Sequence, residues 1–514
     1  MFGVIAQTIL GLISCISHSV NDSALLTPQL QLSPIVSCDT PVEQVHYVHQ
    51  YLPVQAKEIQ TEEHVDGGMF VVGDVNKDGI YDIISCFEHE HTYLYLGEEY
   101  GENIRLAPAG ELVDDCPTMN LVDVDGDGDQ DIILIMKEFQ WMENVYTENN
   151  TDRIFADRKT ILHLDDTNYI RKIRGIKAGY INEDPWLDFL IPQTDGSINS
   201  AKDFLLISKG ILDYRFVHFT ESSLSVRLAF DAMLYDINQD GFDDAYVVND
   251  KGIESGGNVM WQNYQGDFAM VDDCNCDLRM SAMGVDIQDI NRDGMPDILI
   301  ADAIENRLLL AESEWSWVDV TQRMGANILQ SPEMSWGAIF MDHNNDGWED
   351  ILSAQGDLYY SGMLNPYIGE MSLGLLQHQG TEFQDISFLS GLQIAQGSFR
   401  NVVAVELNGD GVLDILATDV EKQPSVFLSN GCTENAWIEI VAPLGTIVEI
   451  HTQEGKRSAI VKNDSGYRAI TAPFVWFGLG NITHIEKLRY KIPHQEWQEI
   501  QDNIETRRRI TINY

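Results

Sequence analysis

Asp123-Val-Asp125-Gly-Asp127-Gly128-Asp129-Gln-Asp131 is the stretch whose reading decides the fold. It places carboxylates at positions 1, 3, 5 and 9 of a nine-residue loop, with glycine at position 6. Alternating acidic side chains converge from one side of a tight turn onto a single hard cation. Glycine at position 6 permits the positive-φ bend that closes the turn. Ca2+ takes roughly six to eight oxygens at about 2.3–2.6 Å, whereas Mg2+ demands a tighter octahedron and keeps its waters. The predicted Ca2+ ligands are therefore Asp123, Asp125, Asp127, the carbonyl of Asp129, and Asp131, completed by water.

The loop recurs along the chain. Intact copies supply Asp74, Asn76, Asp78, the carbonyl of Ile80 and Asp82, then Asp236, Asn238, Asp240, Phe242 and Asp244. Asp289, Asn291, Asp293, Met295 and Asp297 form the next, followed by Asp342, Asn344, Asp346, Trp348 and Asp350. The last copy is Glu406, Asn408, Asp410, Val412 and Asp414. A degenerate copy, Tyr180 to Asp188, has Tyr180 in place of the first acid and Pro185 in place of glycine. The expectation is about six Ca2+ sites. Without a cation, carboxylates crowded at this spacing would repel one another.

Start-to-start distances run from 49 to 64 residues, the mark of a repeat architecture. Short apolar runs flank each loop, such as Met69-Phe-Val-Val72 before and Ile132-Ile-Leu-Ile135 after. They are too short for helices, so each loop is a strand–metal turn–strand hairpin. The remaining residues leave room for two more strands. Val259-Met-Trp-Gln262 and Val426-Phe-Leu-Ser429 read as third strands, and Trp317 to Thr321 and Phe383 to Ile386 as fourth strands. Four strands in each of seven units predict an all-β fold, a seven-bladed β-propeller. An EF-hand is excluded, because position 12 falls on Ser85, Leu134, Val247, Ile300, Ser353 or Ala417, inside a strand.

Asp-x-Asn/Asp-x-Asp-Gly-x-x-Asp between apolar strands resembles the FG-GAP/VCBS repeats of integrin-α-type propellers, over roughly residues 60–430. Beyond Trp437 the acidic loop is absent and a small β domain is expected. Gly445-Thr-Ile-Val-Glu-Ile450, Ser465-Gly466-Tyr467, Phe477-Gly478-Leu479-Gly480 and Lys487-Leu488 resemble an ASPIC/UnbV domain. The combination is similar to the cartilage-acidic-protein (CRTAC-like) family and its bacterial relatives. That resemblance implies matrix or adhesion roles in animal members and biosynthetic settings among bacterial ones. The expected domains are a signal peptide over 1–17, an arm over 18–60, the propeller over 61–432 and the ASPIC/UnbV-like domain over 433–514.

Composition bounds the function. The 514 residues carry 81 acidic against 32 basic side chains, a net charge of −49, which argues against nucleic acid or an anionic membrane surface as a partner. Phe2 to Ile13 reads as an export signal, and Leu12-Ile-Ser-Cys15 also matches a lipoprotein box, in which Cys15 would be the lipid anchor. The protein is expected to be secreted or at the cell surface, periplasmic or outer-membrane-attached if bacterial. Cys38, Cys86, Cys116, Cys274, Cys276 and Cys432 remain as an even set suited to an oxidising compartment, with their pairing open. For Cys274 and Cys276, a local disulfide or two separate bridges both fit.

Glu88-His89-Glu90-His91 is a histidine cluster that reads as a polar hairpin tip or as a Zn2+ or Cu2+ site. The tryptophans, among them Trp141, Trp186, Trp261, Trp315, Trp336 and Trp348, read as blade filling, with a glycan site as the alternative. No Gly-x-Ser-x-Gly elbow or P-loop is present, and no catalytic set is assigned. The expected function is a calcium-binding extracellular module for a protein or glycan partner. The alternative is an enzyme working at the propeller axis or the domain junction, which would require a cluster of buried ionisable groups there.

Overall fold

A computed structural model describes residues 29–52, 67–86, 91–100, 103–136, 138–147, 153–164, 172–194, 203–218, 228–327, 334–356, 371–420, 422–501 and 503–513. The signal segment with Cys15 lies outside them. The described chain is nearly all-β, with single-turn helices at Gly252–Ser255 and Thr321–Met324. It is built from many small four-stranded sheets, an arrangement compatible with a propeller.

Each nine-residue loop closes an antiparallel hairpin in one register. The residue before position 1 pairs with position 9, as in Gly73 with Asp82, Val122 with Asp131, Gly179 with Asp188 and Tyr235 with Asp244. Gln288 with Asp297, Met341 with Asp350 and Val405 with Asp414 repeat it. The strand before the loop is the first of its sheet. In chain order these first strands are Met69–Gly73, Thr118–Val122, Lys177–Gly179, Leu228–Tyr235, Ala282–Gln288, Ser335–Met341 and Phe399–Val405. We number the sheets 1 to 7 after them.

The first strands contact one another in sequence order, and that of sheet 7 returns to that of sheet 1. Apolar side chains fill the seams between consecutive sheets. Met69, Leu94 and Leu121 lie between sheets 1 and 2, Leu299, Ala338 and Ile351 between sheets 5 and 6, and Phe70, Val403 and Leu416 between sheets 7 and 1. Both faces of each inner hairpin are thus buried, which explains why the sequence shows continuous rather than alternating apolar runs there.

The N-terminal arm is woven into distant elements. Tyr47–Tyr51, inside Val42 to Ile59, a stretch of the arm whose sequence leads one to expect an early strand, pairs with Ser425–Ser429 and becomes the outer strand of sheet 7. Gln29–Leu32 pairs with the C-terminal strand Arg508–Asn513. Between them Cys38 is bonded to Cys432. The other bridges are Cys86–Cys116 and the local Cys274–Cys276.

The C-terminal segment from Ala436 has a core of its own, with Ile438, Ile440, Val448, Ile450, Phe477 and Leu488 among its buried members. From it a hairpin, Lys462–Asp464 and Ala469–Gly480, reaches into the middle of the seven sheets. Its tip touches the first strand of every sheet. Ala469 and Ile470 pair in parallel with Phe70 and Val71 of sheet 1. Asn463 Nδ2 donates to Asn120 Oδ1 of sheet 2 at 2.7 Å, and Lys177 of sheet 3 meets Asp464 at 2.6 Å. Tyr467, fully buried, stacks on Phe230 of sheet 4 at 5.4 Å and lies 5.9 Å from Trp336 of sheet 6. Lys462 pairs with Asp286 of sheet 5, and Ser465 Oγ donates to Val402 O of sheet 7 at 3.2 Å. Sheet 5 admits the tip because residue 284 is glycine: a Cβ there would stand 3.2 Å from Tyr467 N and 2.8 Å from Trp336 O.

Candidate metal centres

Position 1 organises each loop by accepting backbone hydrogen bonds. Asp74 accepts from the amides of Asp78 at 3.0 Å and Gly79 at 2.9 Å, and Asp236, Asp289 and Asp342 do the same for residues 5 and 6 of their loops. Asp123 accepts from Gly126, Asp127 and Gly128 at 2.8–3.1 Å. Glu406, one methylene longer, accepts only from Gly409 among the loop amides. These bonds wrap the backbone around the carboxylate. The position-6 glycines take positive φ as expected, Gly79 at 88° and Gly128 at 85°. Position 4 does so too: Lys77, Gly126, Gln239, Arg292, Asn345 and Gly409 all lie between 57° and 80°. Sequence reasoning missed that second bend, because four of its six residues are not glycine.

Position 9 is a latch. Asp82 accepts from Val75 N at 2.9 Å with one oxygen and from Gly97 N, in the third strand, at 2.9 Å with the other. Asp244, Asp297, Asp350 and Asp414 repeat both bonds, to residue 2 of the loop and to the third strand. Asp131 makes the equivalent bond just past the third strand, to Asn144 N at 2.7 Å. One carboxylate thus fixes the loop to two neighbouring strands; the oxygens of Asp82, Asp244 and Asp297 keep a further lone pair for a cation, whereas Asp350 Oδ2 also meets His343 Nδ1 at 2.5 Å and each Asp414 oxygen accepts a second bond from Asn408.

The electrostatics call for positive charge. Burial pushes Asp82, Asp131, Asp244 and Asp297 up to about 8, and Glu406 likewise. Burial, with Asp350 and Glu349 next, drives Asp342 well above the carboxylate range. The loop 123–131 shows the fit to an ion most directly. Asp123, Asp125 and Asp127 each present an oxygen within 4.8 Å of the others. Asp125 Oδ1, Asp129 Oδ1 and Asp131 Oδ2 are buried and receive no hydrogen bond of ordinary geometry. Three clustered carboxylates, with orphaned buried oxygens on Asp125 and on the nearby Asp129 and Asp131, are what a hard divalent cation satisfies.

Neighbouring loops interlock through position 4 of one and position 7 of the next. Lys77 lies 3.7 Å from Asp129, Gly126 faces Trp186, and Arg292 sits 4.2 Å over the Trp348 ring. Trp186 and Trp348, considered as glycan contacts, thus occupy seams, as do Trp141 and Trp261. In the degenerate copy, Tyr180 is buried and neither Glu183 nor Pro185 has positive φ.

Residues 236–300 and 289–353 match the FG-GAP-like repeat family. The chain carries FG-GAP-like repeats. Those two matches span the loops 236–244, 289–297 and 342–350 with their flanking hairpins, and the other copies share the same register. No curated protein matches the chain. Among solved structures, a lectin of Agrocybe aegerita that recognises non-reducing terminal N-acetylglucosamine is 14% identical, with a TM-score of 0.43, over 64% of this chain and 84% of that one. BBS1N in complex with ARL6DN is 8% identical, with a TM-score of 0.41, over 71% of this chain and 93% of that one.

Of Glu88-His89-Glu90-His91, only His91 lies among the described residues. It bonds Glu111 at 2.8 Å beside Asp114, on a solvent-accessible edge. Ser465-Gly466-Tyr467, one of the stretches that resemble an ASPIC/UnbV domain, is the tip of the inserted hairpin. Buried ionisable groups do gather at that tip: Lys177 meets Asp231 at 2.7 Å and Asp464 at 2.6 Å. Nothing in the local sequence marks Lys177 and Asp231 as partners of a residue more than 200 positions away.

Proposed function

We propose that this chain is an exported seven-bladed propeller of FG-GAP-like repeats, held by about six structural Ca2+ ions and closed by the strand Tyr47–Tyr51. Residues 433–514 form an ASPIC/UnbV-like domain, as in the cartilage-acidic-protein family. The protein serves as an extracellular or cell-surface binding module for a protein or glycan. The observation that carries this reading is the set of orphaned oxygens in 123–131; the other intact loops contribute buried, hydrogen-bonded carboxylates that burial pushes up. The ions' role is structural, because the ligands sit inside hairpins whose backbone amides they already bind. Three disulfides support an oxidising compartment.

Elemental analysis of the purified protein is expected to find about six calcium ions per chain, and a glycan array with protein cross-linking to identify the partner class. Calcium-free protein with an unchanged melting curve in chelator refutes the metal reading.

A second reading, an enzyme at the junction, rests on the buried Lys177, Asp231 and Asp286 and the half-buried Asp464 and Lys462 beside them. Against it, these groups are paired with one another, and the two cavities they line hold about 20 and 90 Å3. Small-molecule sites usually occupy roughly 300–1,000 Å3. Turnover of a candidate substrate that is lost in Lys177→Met would favour the enzyme.

A further inference from the structure

The intact loops fall into two groups by solvent access. In 74–82, 123–131, 236–244 and 289–297 the position-5 carboxylates Asp78, Asp127, Asp240 and Asp293 are exposed. In 342–350 no residue is exposed, and in 406–414 only Gly409 is. Asp342, His343, Asn345, Glu349 and Asp350 are each at most 5% exposed.

The cover is the C-terminal segment. Trp476 Nε1 donates to Asn345 Oδ1 at 2.8 Å, Gly480 N donates to Asn345 O at 2.9 Å, and Asn435 Nδ2 donates to Asn344 O at 2.9 Å. The backbone at Gly478 passes so close that a Cβ would stand 1.8 Å from Asp342 Oδ2. Over the neighbouring loop, Trp437 lies against Gly411 and stacks on Trp476, with centroids 4.5 Å apart and planes at 9°. Asn345 Nδ2 donates to Gly411 O at 2.8 Å, joining both loops and the tryptophan pair into one interface.

We propose that the ions of 342–350 and 406–414 are trapped beneath the C-terminal segment and lock it onto the sheets, while the ions of the other four loops exchange freely with solvent. This inference rests on the calcium reading above. An ion in a covered loop leaves only when the interface opens, so its release is limited by that local opening. Linkage adds that, by whatever factor docking raises the affinity of these loops for the ion, the ion stabilises docking by the same factor.

Full-length protein loaded with radiocalcium and mixed with excess EGTA tests this. Four ions are expected to leave in a fast phase and two in a slow phase, at least about tenfold slower. Asp346→Asn and Asp410→Asn should each remove one ion from the slow phase, and Asp127→Asn one from the fast phase. Trp476→Phe, which keeps an aromatic ring but loses the bond to Asn345, should accelerate the slow phase several-fold and leave the fast phase unchanged. Release of all ions in one fast phase overturns the lock while leaving calcium binding intact. A slow phase that survives the Asp346→Asn, Asp410→Asn double variant also overturns it. Absence of bound calcium overturns the underlying reading, and the lock with it.

Discussion

The position-9 carboxylates make the metal reading quantitatively testable through pH. Asp82, Asp131, Asp244 and Asp297 are at most 1% exposed, and burial raises each from 3.8 to about 8 in the absence of an ion. A carboxyl whose folded pKa lies above its unfolded value binds its proton more tightly when folded. Stability is then full below about pH 4 and is lost as pH rises toward 8. Each pH unit in that window is worth about 1.4 kcal/mol per group, so one such carboxyl removes roughly 4 kcal/mol by pH 7. Four together exceed the net stability of about 5–15 kcal/mol typical of a folded domain. The ion-free fold should therefore be strongly pH-dependent, and a cation should abolish that dependence. In the assay, protein stripped of divalent ions is melted from pH 5 to pH 8, with and without added Ca2+. Without Ca2+ the melting temperature falls steadily as pH rises. With Ca2+ it stays level or rises, because the ion binds the ionised ligands. Ion-free protein that melts at the same temperature at pH 5 and pH 8 would refute the reasoning.

Other outcomes follow from the same structure. Asp127→Asn should lower the calcium content by one and leave the other sites filled, as titration calorimetry can show, since repeats contribute nearly independently. Tyr467→Ala, which empties a fully buried site between Phe230 and Trp336, should cost about 3–5 kcal/mol in calcium-saturated protein by denaturant unfolding. Tyr467→Phe removes only the bond from Arg174 at 3.2 Å and should cost about 1.5–3 kcal/mol. Replacing Cys38 and Cys432 by serine opens a covalent loop spanning 394 residues and should lower stability by about 5 kcal/mol, read by the same unfolding assay.

The repeat was legible because its chemistry is local. Nine residues carry the turn, the putting together of ligands and the flanking strand signals, so spacing alone exposes the hairpins around Asp78 or Asp293. What joins the hairpins was not legible. Tyr47–Tyr51 reads as a strand, but its partner lies near residue 427, and pairing at that separation leaves no local trace. Ser465-Gly466-Tyr467 gives no local sign of its central place, because the seven strands that its hairpin touches are spread from Phe70 to Val402. The position-4 bend was hidden for another reason: Lys77, Gln239 and Arg292 are held in the left-handed region by the hydrogen bonds of position 1, not by their own preference.

The degenerate loop separates two tasks that the intact copies superpose. It lacks the position-1 carboxylate and the position-6 glycine, yet its hairpin closes in the common register, Gly179 opposite Asp188. Asp188 still accepts from Ile181 N at 3.1 Å and from Ser208 N at 2.7 Å. Position 9 therefore closes the turn without the position-1 acid, while Asn182 and Asp184 keep positions 3 and 5 and still accept from the amides of Asp184 and Trp186. The place of the missing acid is taken by Tyr180, which lies edge-on to His494 at 5.5 Å and packs against Gly445 of the C-terminal segment. At 342–350 the same segment covers a ring of carboxylates, and at 180–188 it covers an aromatic ring. Charge neutralised by an ion and apolar surface removed from water are two ways of making one face of the sheets fit to be buried; 180–188 uses the second, and the calcium reading assigns the first to 342–350.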